Sequence, residues 1–182
     1  RGVNSNLDEA VRFYRLASEQ GSLDAMQRLA RCYDEGIGVE QNKEEVKRLY
    51  KEISKTALKQ SEGNKWEEDG EIEWRFDERN GRLLIKGKGS LEDYADGSKT
   101  CQMKKYDDFV EIAPWRKKYR KQMKSAVICH GVSSIGKNAF SNSKNFRSVE
   151  LPISITSIGD YAFDGCSSLA SVVIPDSVTS IK

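Results

Sequence analysis

The chain has 182 residues, and its 30 Lys and Arg nearly balance its 28 Asp and Glu, leaving a formal charge of +2. This balance argues against a general nucleic-acid binder, whose affinity depends on clustered neutralisation of phosphates. No run approaches the ~18–20 consecutive apolar residues of a membrane-spanning helix. The single histidine, His130, has no partners for a catalytic triad or a multi-histidine metal site. We therefore predict no catalysis, no cofactor and no bound metal.

The four cysteines, Cys32, Cys101, Cys129 and Cys166, stand far apart in the sequence. No CxxC pair indicates a zinc site, and the chain is not of the short, cysteine-dense kind that is held together by disulfides. We expect free and mostly buried thiols. The chain opens without an initiator methionine or an apolar signal segment and stops inside a patterned segment, so we expect it to belong to a longer protein.

The first 54 residues repeat with a period of 36, so that Gly2 and Tyr14 recur as Gly38 and Tyr50. Small and apolar residues inside each unit recur at helical spacing. Glycines separate these runs at positions where helices commonly stop. The pattern predicts helices over 7–19, 23–34 and 43–59.

This segment resembles a Sel-one-like repeat, a relative of the tetratricopeptide repeat. The family pattern ends in Gly-x-Gly-Val, and it is filled by Ala17, Gly21, Ala25, Leu29, Tyr33, Gly36, Gly38 and Val39. The resemblance covers one full unit and the first helix of a second. It implies a short α-solenoid of the kind found in signalling scaffolds.

A second repeat, with a period of 23, occupies residues 123–182, where Ile135-Gly136 matches Ile158-Gly159. Short pieces alternate apolar and polar residues, which predicts strands. The Ser, Asn and Gly residues between these pieces are typical of turns. One 23-residue coil cannot bury its apolar ridge alone, so neighbouring coils must stack.

The last coil closely resembles the BspA-like leucine-rich repeat. Its motif is filled by Ile158, Gly159, Ala162, Phe163, Cys166, Leu169, Val172, Ile174, Pro175, Val178 and Ile181. The resemblance implies a β-solenoid whose strands present an extended surface to a partner.

The middle of the chain separates the two repeats. Residues 61–73 are polar and acidic and are predicted to form a linker. The pair Asn80-Gly81, between two alternating runs, is typical of a type I′ hairpin turn. This hairpin and the later Pro114-Trp115 are similar to the start of BspA-like domains, which implies that 74–122 caps the leucine-rich repeats. The sequence offers no account of 96–112.

The run 116–124 holds six positive charges in nine residues and no acid. We interpret it as the solvated face of a short helix, because Trp115, Tyr119 and Met123 recur every four residues and would form its buried side. Acidic residues between 107 and 111 could neutralise the run. The alternative is a weak site for an anionic partner, formed by Arg116, Lys117, Lys118, Arg120 and Lys121.

Together these patterns predict an α+β fold, with a short α-solenoid followed by a capped leucine-rich-repeat β-solenoid. The predicted regions are 1–60 for the helical repeats, 61–73 for the linker, 74–122 for the cap and 123–182 for the leucine-rich repeats. We predict a non-catalytic scaffold that binds another protein, and no nucleic acid. The strand alternation predicts an outward ladder of Ser125, Val127, Ser148, Glu150, Ser171 and Val173. This ladder is small and mostly neutral, which favours recognition by shape over steering by charge.

Three classes of role stay open at this point. Resemblance to Sel-one-like repeats implies an intracellular adaptor, and resemblance to BspA-like repeats implies a cell-surface adhesin that binds host or matrix protein. The third class is the regulatory region of an enzyme, such as a kinase, whose catalytic domain lies outside these residues. We favour a cytoplasmic location over the cell surface.

Overall fold

The computed structural model describes residues 2–61, 65–91, 93–94 and 112–182, with side chains from residue 6 onward. It combines helices and strands, and it divides into two compact units, Arg1–Glu62 and Gly63–Lys182. Cys101, the acidic residues between 107 and 111, and all but the last residue of 96–112 lie outside the described residues.

The first unit consists of three helices, α1 (Gly2–Glu19), α2 (Leu23–Glu35) and α3 (Lys43–Gln60). All three predicted helices are present, and α1 begins five residues earlier than predicted. Side chains of Ser22 and Asn42 accept hydrogen bonds from backbone N–H groups in the first turns of α2 and α3. Such caps satisfy donors that a helix leaves unpaired at its start.

The helices pack as antiparallel neighbours around one apolar core. The turn after α2 brings Gly38 against the backbone of Leu7, near the start of α1. At the other end, the Gln60 side chain of α3 donates to the carbonyl of Gly21, which precedes α2, over 2.8 Å. The buried residues of this unit include Val11, Leu23, Ala25, Met26, Leu29, Ala30, Cys32, Val46, Leu49, Tyr50, Ile53 and Ala57.

The second unit contains nine strands and one short helix among its described residues. These elements are β1 (Glu67–Asp69), β2 (Ile72–Asp77), β3 (Arg82–Gly87), β4 (Gly89–Ser90), α4 (Pro114–Tyr119), β5 (Ser125–Ile128), β6 (Val132–Ile135), β7 (Ser148–Glu150), β8 (Ser157–Ile158) and β9 (Ser180–Ile181). The first sheet has the order β1-β2-β3-β5-β7, and the second has the order β4-β6-β8-β9.

Parallel pairing stacks the 23-residue coils. It places Ser125 beside Ser148 in the first sheet and Ser157 beside Ser180 in the second. Apolar residues between the two sheets form one core with the hairpin β2–β3 and with α4. Phe140 lies in this core, stacked on Phe146 with ring centroids 5.2 Å apart.

The predicted linker over 61–73 is wrong in its second half, because β1 and the first residues of β2 lie there. Strand β1 is at the edge of the first sheet, and cations from neighbouring elements pair with acidic side chains of β1 and of the inner strand β2. Glu67 accepts from Lys118 over 2.6 Å, and Glu73 lies 3.1 Å from Lys86. Charged side chains are a common feature of edge strands.

The hairpin turn also differs from the prediction. Asp77 pairs with Arg82, which leaves a four-residue loop. Within that loop only Gly81 has a positive φ, of 72°, whereas a type I′ turn needs two such residues. The Asp77 carboxylate organises the loop instead by accepting from the backbone N–H of Arg79 at 3.1 Å and from Asn80 at 3.0 Å. The Arg79 guanidinium, 3.0 Å away, holds the pKa of Asp77 below its usual range.

We expect Gly38→Ala to destabilise the helical unit strongly. Gly38 has a φ of +64°, and an added Cβ would lie 2.6 Å from the Leu7 carbonyl. Strained φ and backbone collision together should cost about 2–5 kcal/mol. Gly21→Ala is the matched control, because Gly21 has a φ of +82° but a Cβ there meets only side-chain atoms at 3.5 Å or more.

Urea unfolding of the full chain, followed by the helical circular dichroism signal, measures both variants. The control should lose only about 1–2 kcal/mol, the cost of the left-handed backbone. Equal losses for the two variants would show that the close approach of Gly38 to Leu7 is not needed.

Candidate protein-interaction surface

Four residues of the predicted ladder, Ser125, Val127, Ser148 and Glu150, lie in strands of the first sheet and outside the core between the sheets. Only part of the ladder is at the surface. Ser148 and Ser171 are exposed, whereas Ser125, Glu150 and Val173 are half-buried. Ser125 and Ser148 are side by side in the parallel pair β5–β7. Residues 171–173 form no strand, so β7 is the last strand of the first sheet.

Val127 does not belong to an exposed ladder, because it is 0% exposed. Its register partner on β3 is Leu84, which is also fully buried and lies outside the core between the sheets. The outward side of the sheet is therefore apolar and shielded at this point. The sequence carried a signal for this, since Leu83, Leu84 and Ile85 form an unbroken apolar run, as is typical of a strand buried on both faces.

Helix α4 joins the hairpin to the first coils through two buried side chains. Pro114 starts the helix, a position where its missing N–H is no loss. The Trp115 indole N–H donates to the carbonyl of Ala139 over 2.9 Å. Arg116 donates from Nε to the carbonyl of Ser141 and from Nη1 to that of Asn138, each over 2.9 Å.

These contacts correct the predicted role of Arg116. It is 2% exposed and its guanidinium binds backbone carbonyls, so it is unable to reach an anionic partner. The predicted buried side of this helix is present: Trp115 and Met123 are buried, and Tyr119 stacks on Phe76 with ring centroids 4.3 Å apart. Met123 lies beyond the end of α4, which is shorter than predicted.

Of the other predicted cations, Lys118 pairs with Glu67. Lys117, Arg120 and Lys121 are exposed, and within the described ranges they take part in no ion pair.

Two further cations extend this group, and the sequence analysis missed both. Lys144 and Arg147 follow Lys121 and Lys124 by one 23-residue repeat. The backbone N–H of Arg147 donates to the carbonyl of Lys124, and the Asn145 side chain donates to the carbonyl of Lys121, each over 2.7 Å. We give the name basic face to five exposed cations on and just before these two coils: Arg120, Lys121, Lys124, Lys144 and Arg147. Adding 23, the length of one repeat, to the positions of Lys121 and Lys124 would have found Lys144 and Arg147 from the sequence.

A shallow groove of about 490 Å³ runs along the second sheet. Its floor is a column of aligned hydroxyl groups from Ser90, Ser134, Ser157 and Ser180. His130 is exposed at the end of the first coil strand. Among the described residues, no group of His, Cys, Asp and Glu has the arrangement of a metal site.

The described cysteines, Cys32, Cys129 and Cys166, are free and buried, as predicted. Burial raises the pKa of the Cys32 and Cys166 thiols. The Cys166 thiol also donates to the carbonyl of Phe140 over 3.1 Å, which ties one coil to the next. None of the helices in the described part of the chain is both long and apolar enough to cross a membrane.

Comparison with known proteins gives a family match for the second repeat. Residues 118–182 match the family described as "BspA type Leucine rich repeat region (6 copies)". This match confirms the leucine-rich-repeat prediction for that part of the chain. No curated protein matches the sequence.

Several solved leucine-rich-repeat proteins are similar to part of this chain. A leucine-rich repeat protein from Eubacterium ventriosum is 26% identical with a TM-score of 0.48, over 62% of this chain and 26% of that one. The T. pallidum leucine-rich repeat protein is 21% identical with a TM-score of 0.35, over 64% of this chain and 53% of its own. A leucine-rich cell surface protein from Faecalibacterium prausnitzii is 22% identical with a TM-score of 0.35, over 66% of this chain and 33% of that one. The matched regions thus span between a quarter and about half of those chains.

We expect Arg116→Met to destabilise the second unit by about 3 kcal/mol. The change removes two charge-assisted hydrogen bonds and leaves the Asn138 and Ser141 carbonyls without these donors in a buried site. Lys117→Met is the matched control, because Lys117 is the exposed neighbour on the same helix. It should change the stability by less than about 0.5 kcal/mol.

Thermal unfolding monitored by tryptophan fluorescence reports on this unit through Trp74 and Trp115. A stability for Arg116→Met equal to that of the control would mean that the guanidinium does not hold the helix to the coils.

Proposed function

We propose that this chain is a non-catalytic scaffold that binds another protein through its repeats. In this proposal residues 1–60 form Sel-one-like helical repeats, and residues 123–182 form a leucine-rich-repeat β-solenoid. Its amino-terminal cap occupies 67–122, which extends the predicted cap to include β1. The observation that carries the proposal is the parallel stacking of 23-residue coils in a region that matches a repeat family.

The proposed binding surface is the outward row Ser125, Ser148 and Ser171, with Glu150 and Val173 beside it. Backbone pairing holds Ser125 and Ser148 in neighbouring strands, so the two residues are side by side before a partner arrives. A surface that is already ordered loses little conformational entropy on association. Small side chains let a partner approach the strands closely and exchange hydrogen bonds with the hydroxyl groups.

A pair of bulky substitutions tests this row. Ser148→Trp with Ser171→Trp should abolish the capture of specific proteins by the full chain, because the indoles would keep a partner away from the strands. Ser168→Trp is the control, since it places the same side chain at an exposed serine outside the row.

Captured proteins are identified by mass spectrometry, and their affinities are then measured with purified components. We expect the row variant to weaken binding at least about tenfold, as is usual for a disrupted interface centre, and the control to bind as the unmodified chain does. Unchanged affinity of the row variant for every captured protein would contradict the proposed surface.

A further inference from the structure

The charges of the chain are distributed unevenly. Between Ile112 and Val149 there are nine Lys and Arg and no Asp or Glu. Arg116 is buried against backbone carbonyls, and Lys118 is paired with Glu67. The other seven are exposed: Lys117, Lys137 and the five residues of the basic face. In the described part of the chain, no carboxylate forms an ion pair with any residue of the basic face.

The repeat arranges four of these cations as two pairs. Lys121 and Lys144 occupy the same position in neighbouring coils, and so do Lys124 and Arg147. The hydrogen bonds from Asn145 to Lys121 and from Arg147 to Lys124 hold the two backbones together. Neighbouring strands lie about 4.8 Å apart, so the two pairs form a compact array. In the next coil Ala170 stands at the position of Arg147, so the basic face does not continue into that coil.

The basic face borders the serine row. Lys124 directly precedes Ser125, and Arg147 directly precedes Ser148. On the other side of Ser125, its register partner is Arg82 on β3. A partner that lies along the serines therefore also comes close to cations.

We propose that the basic face, with Ser125 and Ser148, docks an acidic segment of a partner protein. This inference rests on the proposed function and specifies the chemistry of the partner. Carboxylates are the expected ligands, because an arginine guanidinium, as in Arg120 and Arg147, can pair with a carboxylate through two parallel hydrogen bonds. The serine hydroxyl groups supply neutral hydrogen bonds to the peptide backbone between those carboxylates.

The surroundings of the face favour a peptide over nucleic acid. Single strands bind through bases stacked on exposed aromatic rings, but the nearby Trp115 and Phe146 are buried and Tyr119 is stacked on Phe76. Duplex DNA is bound tightly by proteins that contact about 6–10 phosphates. Five cations confined to two coils suit a short acidic stretch better.

Fluorescence anisotropy with the full chain and a labelled twelve-residue peptide of alternating Glu and Ser tests the proposal. The same peptide with Gln in place of Glu is the neutral probe. We expect the Glu peptide to bind more weakly as salt is raised and the Gln peptide not to bind. A 12-base-pair duplex and phosphatidylserine vesicles, measured in the same buffer, should bind more weakly than the Glu peptide.

The decisive variants reverse equal numbers of charges in two places. Lys144→Glu with Arg147→Glu should weaken binding of the Glu peptide about tenfold or more. Lys51→Glu with Lys59→Glu, two exposed positions on α3, gives the same change in net charge and should change the affinity less than about twofold. All four side chains are exposed, so both variants should keep the circular dichroism of the unmodified chain.

Equal losses for the two double variants would overturn the proposal, because binding would then follow net charge alone. Tighter binding of the duplex or the vesicles than of the Glu peptide would also overturn it. A captured partner that depends on Ser148 but binds Lys144→Glu/Arg147→Glu normally would refute this inference and leave the proposed function standing. The Glu peptide could instead bind through the basic face while Ser148→Trp/Ser171→Trp changes the affinity of no partner. That result would refute the proposed role of the serine row.

Discussion

Parallel pairing of β3 with β5 joins the hairpin to the first coil, and the arrangement of the second unit depends on it. The register places Leu83 beside Ala126 and Ile85 beside Ile128, so that all four enter the shared core. A slip of one residue would turn every side chain of the coil to the opposite face. The hairpin therefore covers the end of the stack and also sets which residues of the first coil point inward.

The same register determines the surface. Each later coil pairs in parallel with the one before it, so residues 23 apart become neighbours in space. Lys121 and Lys124 become part of a group of four cations only because the next coil, with Lys144 and Arg147, stacks on their own coil. The serine row arises in the same way from Ser125 and Ser148. A repeat thus multiplies a weak feature of one coil into an extended surface.

Local patterns in the sequence were enough to predict α2, which begins at the expected residue and ends one residue late, and the 23-residue stacking of the coils. Contacts between distant segments were harder to predict. Val127 is buried next to Leu84 of β3, and Arg116 is buried where the Asn138 and Ser141 carbonyls bind it. Alternation and charge describe one segment at a time, whereas these burials depend on which segment comes to lie alongside.

Because the hairpin and the coils share one core, we expect them to unfold as one cooperative unit, and native-state hydrogen exchange on the full chain tests this most directly. The Cys129 amide donates to Ile85 across the junction between hairpin and coil, and the Phe140 amide donates to Ala162 between two coils. We expect both amides to exchange with the same opening free energy and the same dependence on urea, since one global opening exposes both. A clearly lower opening free energy for the Cys129 amide would contradict the account, because the hairpin would then separate while the coils stay folded.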